Sequence, residues 1–177
     1  MSVTARLRLM VATLVLLTSA GGSAAAQSAL MTASAEVSTI AISIFGSQPL
    51  DFGAVIPGAA TLIDPKSGTA GIFEIRGARR AEFTLTMALP TQLTTGGGPH
   101  TMPISFGPNG GCHRNQDQQA NCTYYDPSST LVANLRAPPF PNNTYFVWIG
   151  GTVSPSPTQF PGVYTGVISA SVAYTGN

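Results

Sequence analysis

The chain has 177 residues, of which eight are Lys or Arg and seven Asp or Glu. At 8% charged, against about 25% in an average soluble domain, it lacks the dense basic footprint of non-specific nucleic-acid binding, and two cysteines are too few for a zinc site built on three or four thiolates. A hydrophobic content of 44% supports a packed core, while 19 Gly and 14 Pro point to a turn-rich, all-β chain whose polar surface comes largely from 16 Ser and 20 Thr.

Arg6 and Arg8 precede the apolar run Leu9 to Leu17, and small residues then lead to Ala24-Ala25-Ala26 before Gln27. A basic start, a short apolar stretch and an Ala-x-Ala exit predict a secretory signal over residues 1–26, cut between Ala26 and Gln27. The run is shorter than the roughly 20 apolar residues that span a bilayer. Its removal leaves residues 27–177, 151 residues with six basic and seven acidic groups. That size suits one domain with one core. No later segment is apolar and long enough to cross a membrane, so the expected location is periplasmic, at the cell surface or extracellular.

Strand patterns fill the remainder. Glu36 to Phe45 is β-branched and aromatic, and reads as a strand. Leu50 to Ile56 is closed by the turn dipeptide Pro57-Gly58, and Asp64 to Gly68 is a further turn cluster. Gly71 to Arg76 and Ala81 to Leu89 read as paired strands about a tip at Arg79-Arg80. The second alternates Phe83, Leu85, Met87 and Leu89 against Glu82, Thr84, Thr86 and Ala88, the mark of a sheet with one wet side. Met102 to Phe106 is a short strand, followed by a polar excursion from Gly107 to Pro127. Leu131 to Leu135 and Tyr145 to Ile149 come next, with Gly150-Gly151 marking a bulge or a close backbone approach. Val163 to Thr175 is the last strand. These elements predict an all-β fold, a single immunoglobulin-like antiparallel β-sandwich of about seven to nine strands.

Cys112 and Cys122 enclose a polar loop that cannot hold itself by burial, and in an exported chain they predict a disulfide. His100 and His113 lie in Gly- or Asn-rich stretches and read as surface histidines. No Gly-x-Ser-x-Gly elbow accompanies them. Glu74 and Glu82, with Arg76, Arg79 and Arg80 between, read as cross-strand charge pairs rather than as a glycosidase dyad. Gly96-Gly97-Gly98 lacks the strand-to-helix setting of a phosphate loop. No catalytic, cofactor-binding or metal-ligating set is expected. Among the aromatic residues Phe140, Tyr145, Phe146 and Trp148, the pair Tyr145 and Trp148 is the candidate for a surface-binding platform.

Leu50-Asp51-Phe52-Gly53, Pro57-Gly58 and Gly68, then Ile149-Gly150-Gly151-Thr152 and Pro161-Gly162-Val163-Tyr164-Thr165-Gly166 with the alternation ending at Tyr174, resemble a bacterial secreted family known as domain of unknown function 4402. The same skeleton is similar to spore-coat-U-like subunits of archaic chaperone–usher pili. That resemblance implies a pilin-like sandwich and assembly by strand addition, through self-association or with periplasmic chaperone- and usher-type partners. Residues 27–35 then form a donor-like extension, with Ala29, Leu30, Met31, Ala33 and Ala35 as its strand-addition segment. The functional expectation is a non-enzymatic exported structural subunit. Its rival is a monomeric adhesion-type module that binds a glycan or protein through the loops at 90–101 and 107–143.

Overall fold

The structure, a computed structural model, describes residues 40–96, 98–135 and 143–176. The predicted signal, its cleavage point at Ala26 and Gln27, and the segment holding Ala29, Leu30, Met31, Ala33 and Ala35 lie outside the described residues, as does Phe140. All the described residues belong to one compact unit.

The fold is all-β, as expected, with antiparallel pairing throughout. In chain order the strands are β1 (Ser43–Gln48), β2 (Thr61–Ile63), β3 (Gly71–Arg76), β4 (Glu82–Ala88), β5 (Gln92–Thr95), β6 (Thr101–Ser105) and β7 (Gly111–Arg114). After a 3-10 turn at Gln119–Asn121 come β8 (Thr123–Tyr125), β9 (Leu131–Asn134), β10 (Thr144–Ile149), β11 (Gly151–Val153), β12 (Tyr164–Thr165) and β13 (Ser169–Tyr174). They form sheets of order β1-β3-β10-β7-β8, β12-β5-β6-β11-β2 and β13-β4-β9.

Thirteen strands among the described residues exceed the expected seven to nine because long runs break where they change sheet. Tyr145 to Val153 passes from the first sheet to the second at Gly150. Val163 to Thr175 pairs β12 with β5, then β13 with β4, and breaks at Gly166–Ile168. The polar excursion conceals β7 and β8, whose register comes from β10 rather than from apolar alternation.

Two layers share the main core. Ile75, Tyr145, Val147 and Ile149 from the first sheet meet Phe83, Leu85 and Leu131 from the third. Phe83 and Tyr145 pack edge to face across the layers, ring centroids 5.2 Å apart. The second sheet builds a separate cluster from Met102, Ile104 and Val153, with Phe52, Val55, Leu93 and Tyr164 against it. Because β3 and β4 lie in different sheets, Arg79 and Arg80 sit on an inter-sheet connection, not a hairpin tip. Glu74 and Glu82 are parted by the same step. Glu74 pairs with Arg76 of its own strand at 3.0 Å, and Glu82 stands opposite Asn134.

Candidate functional site

Sequence elements from opposite ends of the described chain meet at an apolar groove of about 1010 Å³. One wall is the end of β1 and the segment after it, Gly46–Val55 with Pro57. The other is the stretch 159–166 with Ile168. Leu93, Met102, Ile104, Ile149 and Val153 lie between them, so the groove opens onto the core of the second sheet.

Local backbone chemistry shapes both walls. The Asp51 carboxylate accepts the Gly53 N–H at 2.8 Å, an Asx turn that carries Gly53 into the left-handed region at φ 62°. Gly58 donates its N–H to the carbonyls of Pro155 and Ser156, both at 3.2 Å, tying the first wall to the residues before the second. On the second wall, the Tyr164 hydroxyl donates to the Phe160 carbonyl at 2.8 Å and accepts from the Gln159 amide at 2.6 Å. Phe160 also stacks on His100, centroids 4.1 Å apart. Val163, in the second wall, is 80% exposed, which makes the rim unusually apolar for a surface.

The end of β1 lines the groove, and β1 forms a seam with a second sheet edge, β13, outside the lining. Among the described residues, β1 pairs only with β3 and β13 only with β4. Tyr174 closes the far end of that seam, accepting the Ala78 N–H at 2.6 Å and donating to the Ile40 carbonyl at 3.0 Å. Neither β1 nor β13 carries a charged residue or a proline, the features that usually blunt an edge. Asp51 is the sole charged side chain in the groove's lining.

Residues 28–174 match the family described as "Domain of unknown function (DUF4402)". The chain belongs to the DUF4402 family. No curated protein matches it. The motif residues Asp51, Phe52 and Gly53 and Pro161 to Gly166, which carry the family resemblance in the sequence, lie in the two walls of the DUF4402 groove.

The disulfide expected in this DUF4402 domain is present between Cys112 of β7 and Cys122, with Cα atoms 5.6 Å apart. It joins β7 to the residue just before β8 of the same sheet and is not the inter-sheet bridge of immunoglobulin domains. Its loop is a clasp. The Gln119 amide donates to the carbonyls of Pro65 and Ser67 at 2.8 and 2.7 Å, and the Tyr124 hydroxyl reaches both Asp64 carboxylate oxygens at 3.1 Å. The Arg114 guanidinium donates to the Asn121 carbonyl from within. Replacing both cysteines by alanine is expected to cost about 2–3 kcal/mol, the loop-closure entropy of an eleven-residue ring. The check is the urea midpoint of the variant against the oxidised parent.

Tyr145 and Trp148 do not form a surface platform. Trp148 has no exposed surface and Tyr145 is 6% exposed. Tyr145 points into the main core. Trp148 points to the opposite face of the first sheet, where Ala70, Cys112 and Cys122 bury it. Five consecutive large residues are accommodated because both faces of β10 are covered, so the alternation that would mark an exposed ring never arises.

His113 also departs from its expected place in a surface loop. It lies on β7 with its Nδ1 hydrogen-bonded to the Tyr145 hydroxyl at 2.6 Å, and the Tyr125 ring meets it edge-on. Burial pushes the His113 pKa below its ordinary 6.5, pushes Tyr145 up to about 12 and raises Tyr125 further, with the neighbouring Tyr145 and Asp126 adding to the Tyr125 shift. The sign for stability follows directly. Above about pH 6.5 His113 is neutral both folded and unfolded; as pH falls below that, the unfolded chain takes up a proton that the folded chain resists, and stability declines toward the lowered folded value. Urea midpoints measured from pH 8 to pH 5 should therefore fall in the parent and fall less in His113→Gln.

Among the described residues, no group of three His, Cys, Asp or Glu side chains converges to hold a metal ion, and no helix is long and apolar enough to cross a membrane.

Proposed function

We propose that this DUF4402 protein is an exported, non-enzymatic structural or surface subunit that assembles by strand addition at its groove. The carrying observation is the groove itself, an opening onto the core lined by the end of β1 and by β12, edge strands of the first and second sheets that carry no charge or proline. An edge strand offers a row of unpaired N–H and C=O groups, and an added strand gains affinity from that ladder and register from the pockets beneath alternate side chains.

A non-enzymatic reading is supported by the groove's chemistry. Its lining includes one carboxylate, Asp51, and no histidine, cysteine, lysine or arginine to act as its acid, base or nucleophilic partner. Export is supported by the disulfide, which persists in oxidising compartments, and by the Arg6-to-Ala26 signal pattern. The resemblance to chaperone–usher subunits points the same way and brings periplasmic assembly proteins as candidate partners. The rival reading, a monomeric glycan-binding module, loses its Tyr145 and Trp148 platform to the core.

The test is the oligomeric state of the processed chain, read by light scattering and by unboiled detergent electrophoresis. A concentration-dependent ladder that collapses on boiling is expected. A lone monomer at every concentration would remove the assembly reading.

A further inference from the structure

We propose that the corner at 76–80 is a binding site for an acidic polysaccharide, taking uronate carboxylates on Arg76, Arg79 and Arg80 and sugar hydroxyls in the cavity beside Arg76. This goes beyond the assembly reading and does not depend on it, since none of residues 76–80 lines the groove.

Positive charge is concentrated here in a chain that carries little of it. Six basic groups follow residue 26, and Arg76, Arg79 and Arg80 are three of them. All three are exposed, whereas Glu74 and Glu82 on the flanking strands are half-buried. Arg76–Glu74 is the one ion pair among the described residues, so Arg79 and Arg80 face solvent without a carboxylate partner. A guanidinium offers a planar fork of donors that matches a carboxylate in two parallel hydrogen bonds.

The backbone holds Arg80 at a cost. The Ala81 N–H donates to the Ala78 carbonyl at 3.3 Å and closes a turn with Arg79 and Arg80 as its central residues. Arg80 has φ 62°, alone among the described non-glycine residues. Glycine or asparagine enters the left-handed region more cheaply at that place in a turn. Strain of this kind collects at ligand clamps, where the surroundings over-determine it. The surroundings here are firm. The Tyr174 hydroxyl accepts the Ala78 N–H at 2.6 Å, and the Leu135 N–H donates to the Ala81 carbonyl at 3.0 Å. A side chain at position 77 would run into the Tyr174 hydroxyl, so Gly77 lets the corner seat closely on the sandwich.

Arg76 is ordered before any ligand arrives. Its guanidinium lies 4.6 Å from the Phe45 ring centroid and donates to the Glu74 carboxylate at 3.0 Å, yet the side chain stays 58% exposed. Ring and carboxylate restrict its rotamers, so less freedom is lost on binding. Arg76 also lines an open cavity of about 360 Å³ with Ser43, Asn143 and Thr144, whose side chains are polar and uncharged. The Asn143 side-chain oxygen is buried without a hydrogen-bond donor. Its amide turns on a soft terminal torsion, and a sugar hydroxyl supplies the missing donor. Carboxylates on the arginines and hydroxyls in the cleft are the chemistry of a uronate chain. An anionic lipid surface offers the charge but does not enter a cleft.

The experiment titrates the full-length chain, exported with its signal, with polygalacturonate, with neutral dextran and with vesicles of phosphatidylglycerol and phosphatidylcholine, by calorimetry at low and at high salt. Expected is saturable binding to polygalacturonate that weakens with salt, and none to dextran. Arg80→Gly and Arg79→Ala should each lose about tenfold in affinity or more, the size of one charge-assisted hydrogen bond. Arg80→Lys, which keeps the charge without the fork, should lose less. Lys66→Ala removes the same charge elsewhere and should bind as the parent does. Arg80→Gly should also match or exceed the parental urea midpoint, because glycine relieves the left-handed backbone, which separates lost binding from lost folding. Parental affinity in Arg80→Gly, or no binding of polygalacturonate by the parent, would overturn the site. Equal loss in Lys66→Ala would reduce it to net charge, and binding to the vesicles but not to polygalacturonate would replace the glycan with a membrane.

Discussion

Trp148→Ala is expected to destabilise the fold by about 3–5 kcal/mol, the range for removing a fully buried aromatic side chain without refilling its space. The side chain lies on the outer face of the first sheet, away from the shared core, yet none of it reaches solvent. Ala70, the disulfide and Ile63 and Ile72 surround it, and Phe146 stacks beside it with centroids 5.8 Å apart. What holds that cover in place is polar: Gln119 and Tyr124 fasten the disulfide loop to the turn at Asp64–Ser67. The cover cannot readily collapse onto a smaller residue, because the disulfide fixes one side and the paired strands the other, so a cavity should persist. Urea denaturation followed by far-ultraviolet circular dichroism checks this, with an unchanged slope expected beside the lowered midpoint. A loss under about 0.5 kcal/mol, typical of surface changes, would show that Trp148 is not the centre of this second core. Trp148→Ala and Cys122→Ala share contacts and should combine non-additively.

The contrast between β4 and β10 explains what the sequence makes legible. In β4, Phe83 and Leu85 are buried while Thr84 and Thr86 are not, so one covered face leaves period-two alternation in plain view. In β10 both faces are covered, and Tyr145-Phe146-Val147-Trp148-Ile149 shows no alternation from which an exposed ring could be chosen. β7 was hidden for the opposite reason. Cys112, His113 and Arg114 have weak strand preference, and their place is fixed by pairing with β10 and by the disulfide. The disulfide itself was legible because it depends on local spacing and compartment. The groove was legible only in fragments: Asp51-Phe52-Gly53 and Pro161-Gly162 stand out as motifs, but that the two face each other across an opening is a property of sheet order, not of either motif.

Gly150→Ala should cost about 3 kcal/mol or more, at the upper end of overpacking penalties, because the obstacles are backbone atoms that cannot rotate aside. A methyl group at this position would lie inside the contact distance of the Ile63 carbonyl oxygen and 2.7 Å from the Pro65 nitrogen. Displacing them would break the pairing of Gly151 with Ile63 between β11 and β2, and would strain the hydrogen bond from Gly150 N–H to the Gly110 carbonyl at 2.8 Å. The loss would be felt at the groove, since β11 carries Val153 into its lining. Gly68→Ala provides the contrast. That position meets nothing within 4 Å and has no left-handed backbone, so alanine there should be neutral or add up to ~1 kcal/mol by restricting the unfolded chain. Thermal and urea midpoints of the two variants, measured beside polymer fraction at a temperature where both remain folded, separate the consequences. If Gly150→Ala folds with parental stability, the chain's passage between sheets at this residue is not the tight approach inferred; if it is destabilised and also assembles less, the junction that shapes the fold shapes the groove as well.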